Sequence, residues 1–475
     1  MTSYIPTIGL EIHAELKTRT KMFCDCRNDP GEKKPNANIC PVCLAHPGTL
    51  PVINKEAVRN ILRVGVAIGG QLADWSEFDR KSYFYPDIPK GYQISQYKHP
   101  LVSGGILRGV EVTRVHLEED TARSLHEREG ETLLDFNRAG VPLMELVTEP
   151  VIHDTETAVG FAKELQLLLR ALAAGDANLE KGEMRVEANI SIAEEGKMGT
   201  KVEVKNLNSF RTVERAINFE VKRQTEVLRS GGEVVQETRG WDDSKGETFS
   251  QRLKESSHDY RYFPDPDLPK LHISEIPEFS EKTLRNSLPE LPSKKRERYE
   301  KEIGLSSEYS DILTSNTMLG EIFDLSEKNF EDKKTKKLLA NYIISDVQGV
   351  FAANPGLALT ATVVGESVSS AVKLIEEGKL SSRGAKDALS LSLLSGETVE
   401  SVAKREGFIQ ESNPEALREI VKDIIKSNPT VVLNFKSGKV SVIQFMVGQA
   451  IKATKGAGNP TILKAIFEEE IGKTK

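Results

Sequence analysis

Residues 133–150 read LLDFNRAGVPLMELVTEP. Residues 133–137 and 143–148 have the short apolar runs of strands, and Arg-Ala-Gly-Val-Pro turns the chain between them. Gly140 is free to take positive φ there, and Pro142 cannot donate to a ladder. Asp135, Asn137, Arg138 and Glu145 are polar groups set among Leu, Phe, Val and Met. Glu145 shares its face of the strand with Leu143 and Val147. A carboxylate in that position is paired, protonated or metal-bound, because burying it bare costs more than a strand contributes. Pairing with Arg138 or another base satisfies this as well as a functional role does.

Four further stretches read as strands. Residues 7–16 alternate strictly, with Ile8, Leu10, Ile12, Ala14 and Leu16 on one face and Thr7, Gly9, Glu11, His13 and Glu15 on the other. Glu11 and His13 point the same way, and a carboxylate with an imidazole suits a divalent ion; a solvated face is the plainer reading of that pair alone. A strand beginning near Val110 ends in His116–Asp120, HLEED. Its alternation changes phase between Val112 and Val115, so a bulge is expected, and period does not say whether Glu118 or Glu119 points inward. Three successive acids repel one another unless a cation or bases sit nearby. Residues 185–192 alternate again, as do residues 200–205. The aromatic stretch 78–97 carries Lys81, Tyr83, Tyr85, Lys90 and Tyr92 without regular period; it reads either as binding groups or as a loop packed on a sheet.

Helices are expected over 58–68, after an Asp154 cap, and after a Ser209 cap through Leu228. Six prolines between Pro264 and Pro292 mark the end of a first domain and a linker. Residues 293–404 are helical in pattern throughout, and residues 405–475 form a small helical tail in which Asn459-Pro460 opens the last helix. The fold class is therefore α+β: a mixed or antiparallel-sheet domain (1–292), an all-helical domain (293–404) and a small helical tail domain (405–475).

The chain has 475 residues and a net charge of −7, which argues against a pure nucleic-acid binder. Between Thr430 and Lys464, however, lie Lys436, Lys439, Lys452, Lys455 and Lys464 and no acid. That stretch, Lys452 and Lys455 among it, is either a phosphate-contacting surface or an ordinary solvated face. No run approaches a membrane span, and the N-terminal residues lack a basic region and an apolar signal core, so a cytoplasmic protein is expected. All four cysteines, Cys24, Cys26, Cys40 and Cys43, fall within twenty residues as C-x-C and C-x-x-C. Two close pairs flanking a loop suit zinc; reduced or vestigial thiols are the main alternative, and disulfides a further one, though nothing points to an oxidising compartment.

The pattern L-D-x-N-R-x-G-x-P-L-x-E-x-V-x-E-P over 134–150, the opening G-L-E-x-H-x-E-L over 9–16, and DYRYFPDPD over 259–267 resemble the GatB family of the tRNA-dependent amidotransferases. The resemblance implies an ATP- and Mg²⁺-dependent ligase that works in a heterotrimer. In it, a glutaminase (amidase) subunit and a third, small subunit accompany the GatB chain. The substrate is misacylated Glu-tRNA or Asp-tRNA, whose side-chain carboxylate is phosphorylated and then amidated by ammonia. It implies a magnesium cluster of His13, Glu119 and Glu145 with Glu11 close by, and places Lys81 and Tyr83 near the ammonia exit. It makes the zinc structural, since the knuckle is kept in some members and lost in others. Glu187 stands where the family usually has Asp.

The chain has no Walker loop, no nucleophile elbow and no Gly/Ser-rich amidase signature. A partner must therefore supply any ammonia. Two other classes fit less well: a non-catalytic, zinc-containing tRNA-binding accessory protein, and a stand-alone amide ligase using free ammonia.

Overall fold

The computed structural model describes residues 4–128, 131–253, 260–410, 414–437, 439–454 and 458–473. The chain divides into two compact units, Met1–Pro292 and Ser293–Lys475. Together they make an α+β protein, with the strands in the first unit and helices throughout the second.

The first unit is built on a mixed ten-stranded sheet. Its main path uses β1 (Tyr4–Glu15), β2 (Gln71–Leu72), β3 (Val102–Ser103), β4 (Val110–Glu119), β5 (Pro142–Thr148), β6 (Met184–Glu194), β7 (Val202–Leu207), β8 (Glu237–Asp242) and β9 (Glu247–Leu253). The order is β9-β8-β7-β6-β1-β5-β4-β3-β2, and only β7 and β8 run parallel along it. The strand expected at 133–137 is instead Glu131–Asp135, paired with Arg123–Arg128 in a separate ribbon.

Alternation decides the two faces of this sheet. Ile8, Leu10, Ile12 and Ala14 of β1, Met144 and Leu146 of β5, Val115 and Leu117 of β4, and Val186, Ala188 and Ile190 of β6 are buried together. Helices α1 (Lys55–Ile68), α2 (Thr155–Ala171) and α3 (Phe210–Arg229) cover that face. Asn54, Asp154 and Ser209 cap them, each accepting from backbone N–H groups of the first turn. Each fully buried Leu or Ile contributes roughly 1.5–3 kcal/mol, so a one-residue slip of β1 is strongly disfavoured. The opposite face is thereby left to Glu11, His13, Glu145, His116 and Glu187.

Residues 136–141 turn as expected: Gly140 takes φ +83°, and Val141 N–H donates to the Arg138 carbonyl at 3.0 Å. The proline-rich stretch is no loose linker. Its Ile273, Phe279 and Leu284 are buried in the first core, and it folds into short helical turns, including Glu281–Asn286. Prolines break the periodicity that would otherwise reveal such burial.

The second unit contains two apolar clusters. One runs from Tyr299 to Ala403, and the other joins Leu417, Val421, Met446, Leu463 and Phe467. Within the stretch expected to be helical, the chain is α-helical at Lys333–Asn341, widens to π-helical turns at Tyr342–Val347, and resumes at Gln348–Ala353. Asn459 does open the final helix, its Oδ1 accepting from Thr461 N–H at 3.0 Å. Among the described residues no helix is long and apolar enough to cross a membrane.

Candidate functional site

Cross-strand register brings the polar groups together. His13 lies opposite Glu145 on β5, and Glu145 lies opposite His116 on β4. On the other side His13 faces Arg185 and Glu11 faces Glu187, both on β6. His13 Nε2 is 3.4 Å from Glu145 Oε2, 3.5 Å from Glu118 Oε1 and 3.9 Å from Glu11 Oε1. His116 Nε2 is 3.3 Å from the same Glu145 oxygen. Arg114 Nη2 is 3.4 Å from the other, so the base beside Glu145 is Arg114. Arg138 turns away to Asp120 and the carbonyls of Thr121 and Ala122.

These groups bias one another's charge. Burial disfavours the His13 imidazolium, but Glu145, Glu118 and Glu11 outweigh it and hold its pKa near 10. Burial would raise Glu145, yet His116 and His13 hold it well below the usual carboxylate range. Burial, with repulsion from Glu145 and Glu187, raises Glu11. Two sets of donor atoms, Glu11-His13-Glu145 and His116-Glu118-Glu145, each lie within 4.8 Å of one another. His116 Nδ1 and Glu118 Oε2 are buried without hydrogen-bond partners. Orphaned buried groups beside converging carboxylates are what an oxygen-ligated divalent cation requires, so the residues present fit magnesium.

Glu118 stands beside His13, and Glu119 does not. The register between β5 and β4 shifts between Val147 and Thr148, which pair with Arg114 and Val112; the intervening residue bulges. Glu119 points to the opposite face, accepting from Lys90 Nζ at 2.6 Å and Ile94 N–H at 3.0 Å. Lys81 lines one cavity of about 220 Å³ with Glu11, Arg114, His116, Glu145, Glu203, Lys205 and three tyrosines. Its Nζ sits 4.8 Å over the Tyr260 ring. Burial opposes its charge, but Tyr262, Glu118 and Glu145 raise its pKa. Tyr83 is outside that lining and donates to Gln93 Oε1 at 3.3 Å. Arg114 is one of the bases that sequence reasoning offered for these carboxylates; His116 it did not single out, although two-residue spacing back from Glu118 reaches it. Glu187 pairs ionically with Lys205 Nζ at 2.8 Å, with Glu203 3.8 Å from the same nitrogen.

The cysteine loop forms a second centre. All four cysteines are free of disulfides, and their sulfurs lie within 4.8 Å of one another. Cys26 Sγ is 4.0 Å from Cys43 Sγ. Tetrahedral zinc with bonds of about 2.3 Å separates its sulfurs by nearly that distance, so the four thiols fit zinc. The neighbouring Cys24 thiol lowers the pKa of Cys43 to about 5, against the effect of burial and with help from Lys21. Asp135 and Asn137 tie the loop down: Asn36 N–H donates to Asp135 Oδ1 at 3.0 Å and Asn38 N–H to Asn137 Oδ1 at 2.8 Å. In the tail, Lys452 is exposed near the end of the helix Ile443–Ala453, and Lys455 lies outside the described residues.

Residues 6–277, which contain both centres, match the family model described as the GatB/GatE catalytic domain, and residues 324–471 match the GatB domain model. The chain belongs to the GatB family. Two relatives of this GatB chain, from Thermoanaerobacter pseudethanolicus and Brevibacillus brevis, are each 40% identical to it. The alignments cover 99% of this chain and 100% and 99% of theirs. A third, from Persephonella marina, is 39% identical over 98% of both chains. Each relative is named as the B subunit of an aspartyl/glutamyl-tRNA(Asn/Gln) amidotransferase.

Proposed function

We propose that this GatB chain amidates the side-chain carboxylate of glutamate or aspartate esterified to tRNA, after activating that carboxylate with ATP. The observation that carries the reading is the nest on the polar face of the sheet. There Glu11, His116 and Glu145 share one cavity lining with Lys81 and Arg114, and His13 and Glu118 lie within 3.5 Å of one another beside Glu145. The family membership and the names of the relatives supply the substrate class.

A carboxylate is a poor electrophile for ammonia. Its oxygen therefore attacks the γ-phosphorus of ATP, the bond to ADP breaks, and an acyl phosphate remains. Ammonia then attacks the acyl carbon, the bond to phosphate breaks, and nitrogen loses a proton. Such a reaction needs positioning and charge neutralisation more than covalent help. Magnesium held by Glu11, His13, Glu118 and Glu145 would neutralise the phosphoryl oxygens. Lys81 has no carboxylate within ion-pair distance among the described residues, so its ammonium is free to hold a phosphate or the substrate carboxylate. Glu119 serves instead to fix Lys90.

Ammonia comes from a partner glutaminase, with a third, small protein completing a heterotrimer; the four cysteines are committed to a structural zinc. The tail around Lys452 and Lys455 contacts tRNA phosphates. The test is to incubate the chain, with and without these two partners, with Glu-tRNA or Asp-tRNA, ATP, and glutamine or ammonium. Amidation should need ATP with either nitrogen source and should need the glutaminase when glutamine is the source. Binding of tRNA with no ATP consumed under any condition would leave an accessory protein in its place.

A further inference from the structure

In the lining of the acidic cavity two tyrosines are stacked face to face. The Tyr97 and Tyr262 rings are 4.3 Å apart and 10° from parallel, and Tyr260 meets Tyr262 edge-on at 6.1 Å. All three line the cavity that holds Glu11, Lys81 and Glu145. A tyrosine pair that merely fills a core is buried; Tyr97 is 42% exposed, and among the described residues no other ring or cation lies over it. Its backbone is nevertheless fixed, Tyr97 N–H donating to Asp79 Oδ2 at 3.0 Å. On the partner segment Arg261, between Tyr260 and Tyr262, takes φ +49°. A non-glycine residue held in that region is strained, and such strain collects at ligand sites.

We propose that the Tyr97–Tyr262 stack is the platform for the purine ring of an adenosine whose charged end enters the cavity. This rests on the function proposed above. The cavity, about 220 Å³, is smaller than the ~300–1,000 Å³ of a pocket that encloses a whole small ligand. Part of the ligand therefore lies at the rim, where Tyr97 offers a flat face. The cations Lys81, Arg114 and Lys205 in the same lining suit the phosphates or the ester carbonyl that follow the base. Stacking on a tyrosine needs no hydrogen-bond code, only a π face. Two adenosines could supply it: that of ATP and the 3′-terminal one of tRNA.

The full chain, assembled with its partner proteins, is compared as wild type, Tyr97→Ala and Tyr97→Phe. Equilibrium binding of ATP and of inorganic tripolyphosphate is measured with the Michaelis constant for Glu-tRNA and the melting temperature. Tyr97→Ala should weaken one of the two adenosine ligands by roughly 5- to 100-fold and leave tripolyphosphate binding unchanged, and Tyr97→Phe should behave as wild type. Weakening of ATP alone assigns the platform to the nucleotide; weakening of tRNA alone assigns it to the terminal adenosine. No change in either, equal weakening of tripolyphosphate, or a lowered melting temperature with all ligands affected alike would overturn the proposal and leave the pair as a brace between two loops. A wild-type complex that binds no nucleotide removes the ATP part of the function reading, and the tRNA arm then decides the platform alone.

Discussion

The Glu118 carboxylate lies 3.5 Å from His13 Nε2, although their strands are not neighbours: β5 runs between β4 and β1. The two side chains reach across Glu145, which sits opposite both His13 and His116. Glu118 is thus a third wall of the nest, and its other oxygen is left unbonded.

Replacement of Glu118 should therefore resemble replacement of Glu145. Glu118→Gln and Glu145→Gln should each lower ATP-dependent amidation by about two orders of magnitude, the range seen when a charge-stabilising group is lost. Glutamine hydrolysis by the partner glutaminase should be unaffected. Calorimetric titration of Mg²⁺ is the direct readout. Equal affinity in wild type and Glu145→Gln would mean that Arg114 and the two histidines, not a cation, satisfy this carboxylate.

Glu119→Gln should act differently. It removes the charged anchor of Lys90 and weakens the bond to Ile94 N–H. Its melting temperature should fall while Mg²⁺ affinity stays at the wild-type value. A loss of Mg²⁺ binding in this variant would return Glu119 to the cluster.

Metal analysis of the purified protein should give about one zinc per chain. Cys40→Ser should lower the melting temperature more than the turnover. A fully stable, fully active protein without zinc would show that the four thiols need no ion.

Glu15 should make stability fall as pH rises. Burial and repulsion from Asp120 raise its pKa from the ordinary 4.5 to about 7, against Arg138 and Arg185. The folded state thus holds this proton more tightly than the unfolded chain does. Its contribution is fully present below pH 4.5 and is lost as pH passes through about 7. Glu15→Gln should raise the melting temperature at pH 8 relative to wild type and change it little near pH 4. The opposite order would place the Glu15 charge in a favourable pairing.

Lys452→Ala combined with Lys455→Ala should flatten the salt dependence of tRNA binding. Each lost phosphate contact lowers the log–log slope by roughly 0.7–0.9. An unchanged slope would make these lysines part of a solvated face.

Much of the site was legible because β1 obeys period two without interruption. Ile8, Leu10, Ile12, Ala14 and Leu16 are buried as the alternation predicts, so Glu11 and His13 had to face the other way. The choice between Glu118 and Glu119 was not legible: the change of phase after Val112 announces a bulge but not which residue it displaces, and so not which acid turns inward. His116 was obscured for the same reason: its place follows only once Glu118 is placed. The burial of Ile273, Phe279 and Leu284 was hidden by prolines, which hold short turns against a core without any repeating pattern. The stack of Tyr97 on Tyr262 joins segments far apart in sequence, a relationship no local period carries.

The bonds from Asn36 and Asn38 to Asp135 and Asn137 each span 99 residues. On a ribosome adding about 5–20 residues per second, the cysteines precede those partners by roughly 5–20 s. Cys24 to Cys43, by contrast, emerge almost together. On the zinc reading proposed above, metal capture comes first and shapes the loop on which the later turn docks. On the same reading, a zinc-starved cell would carry four unprotected thiols on the nascent chain throughout that interval, before the residues that shelter the loop exist.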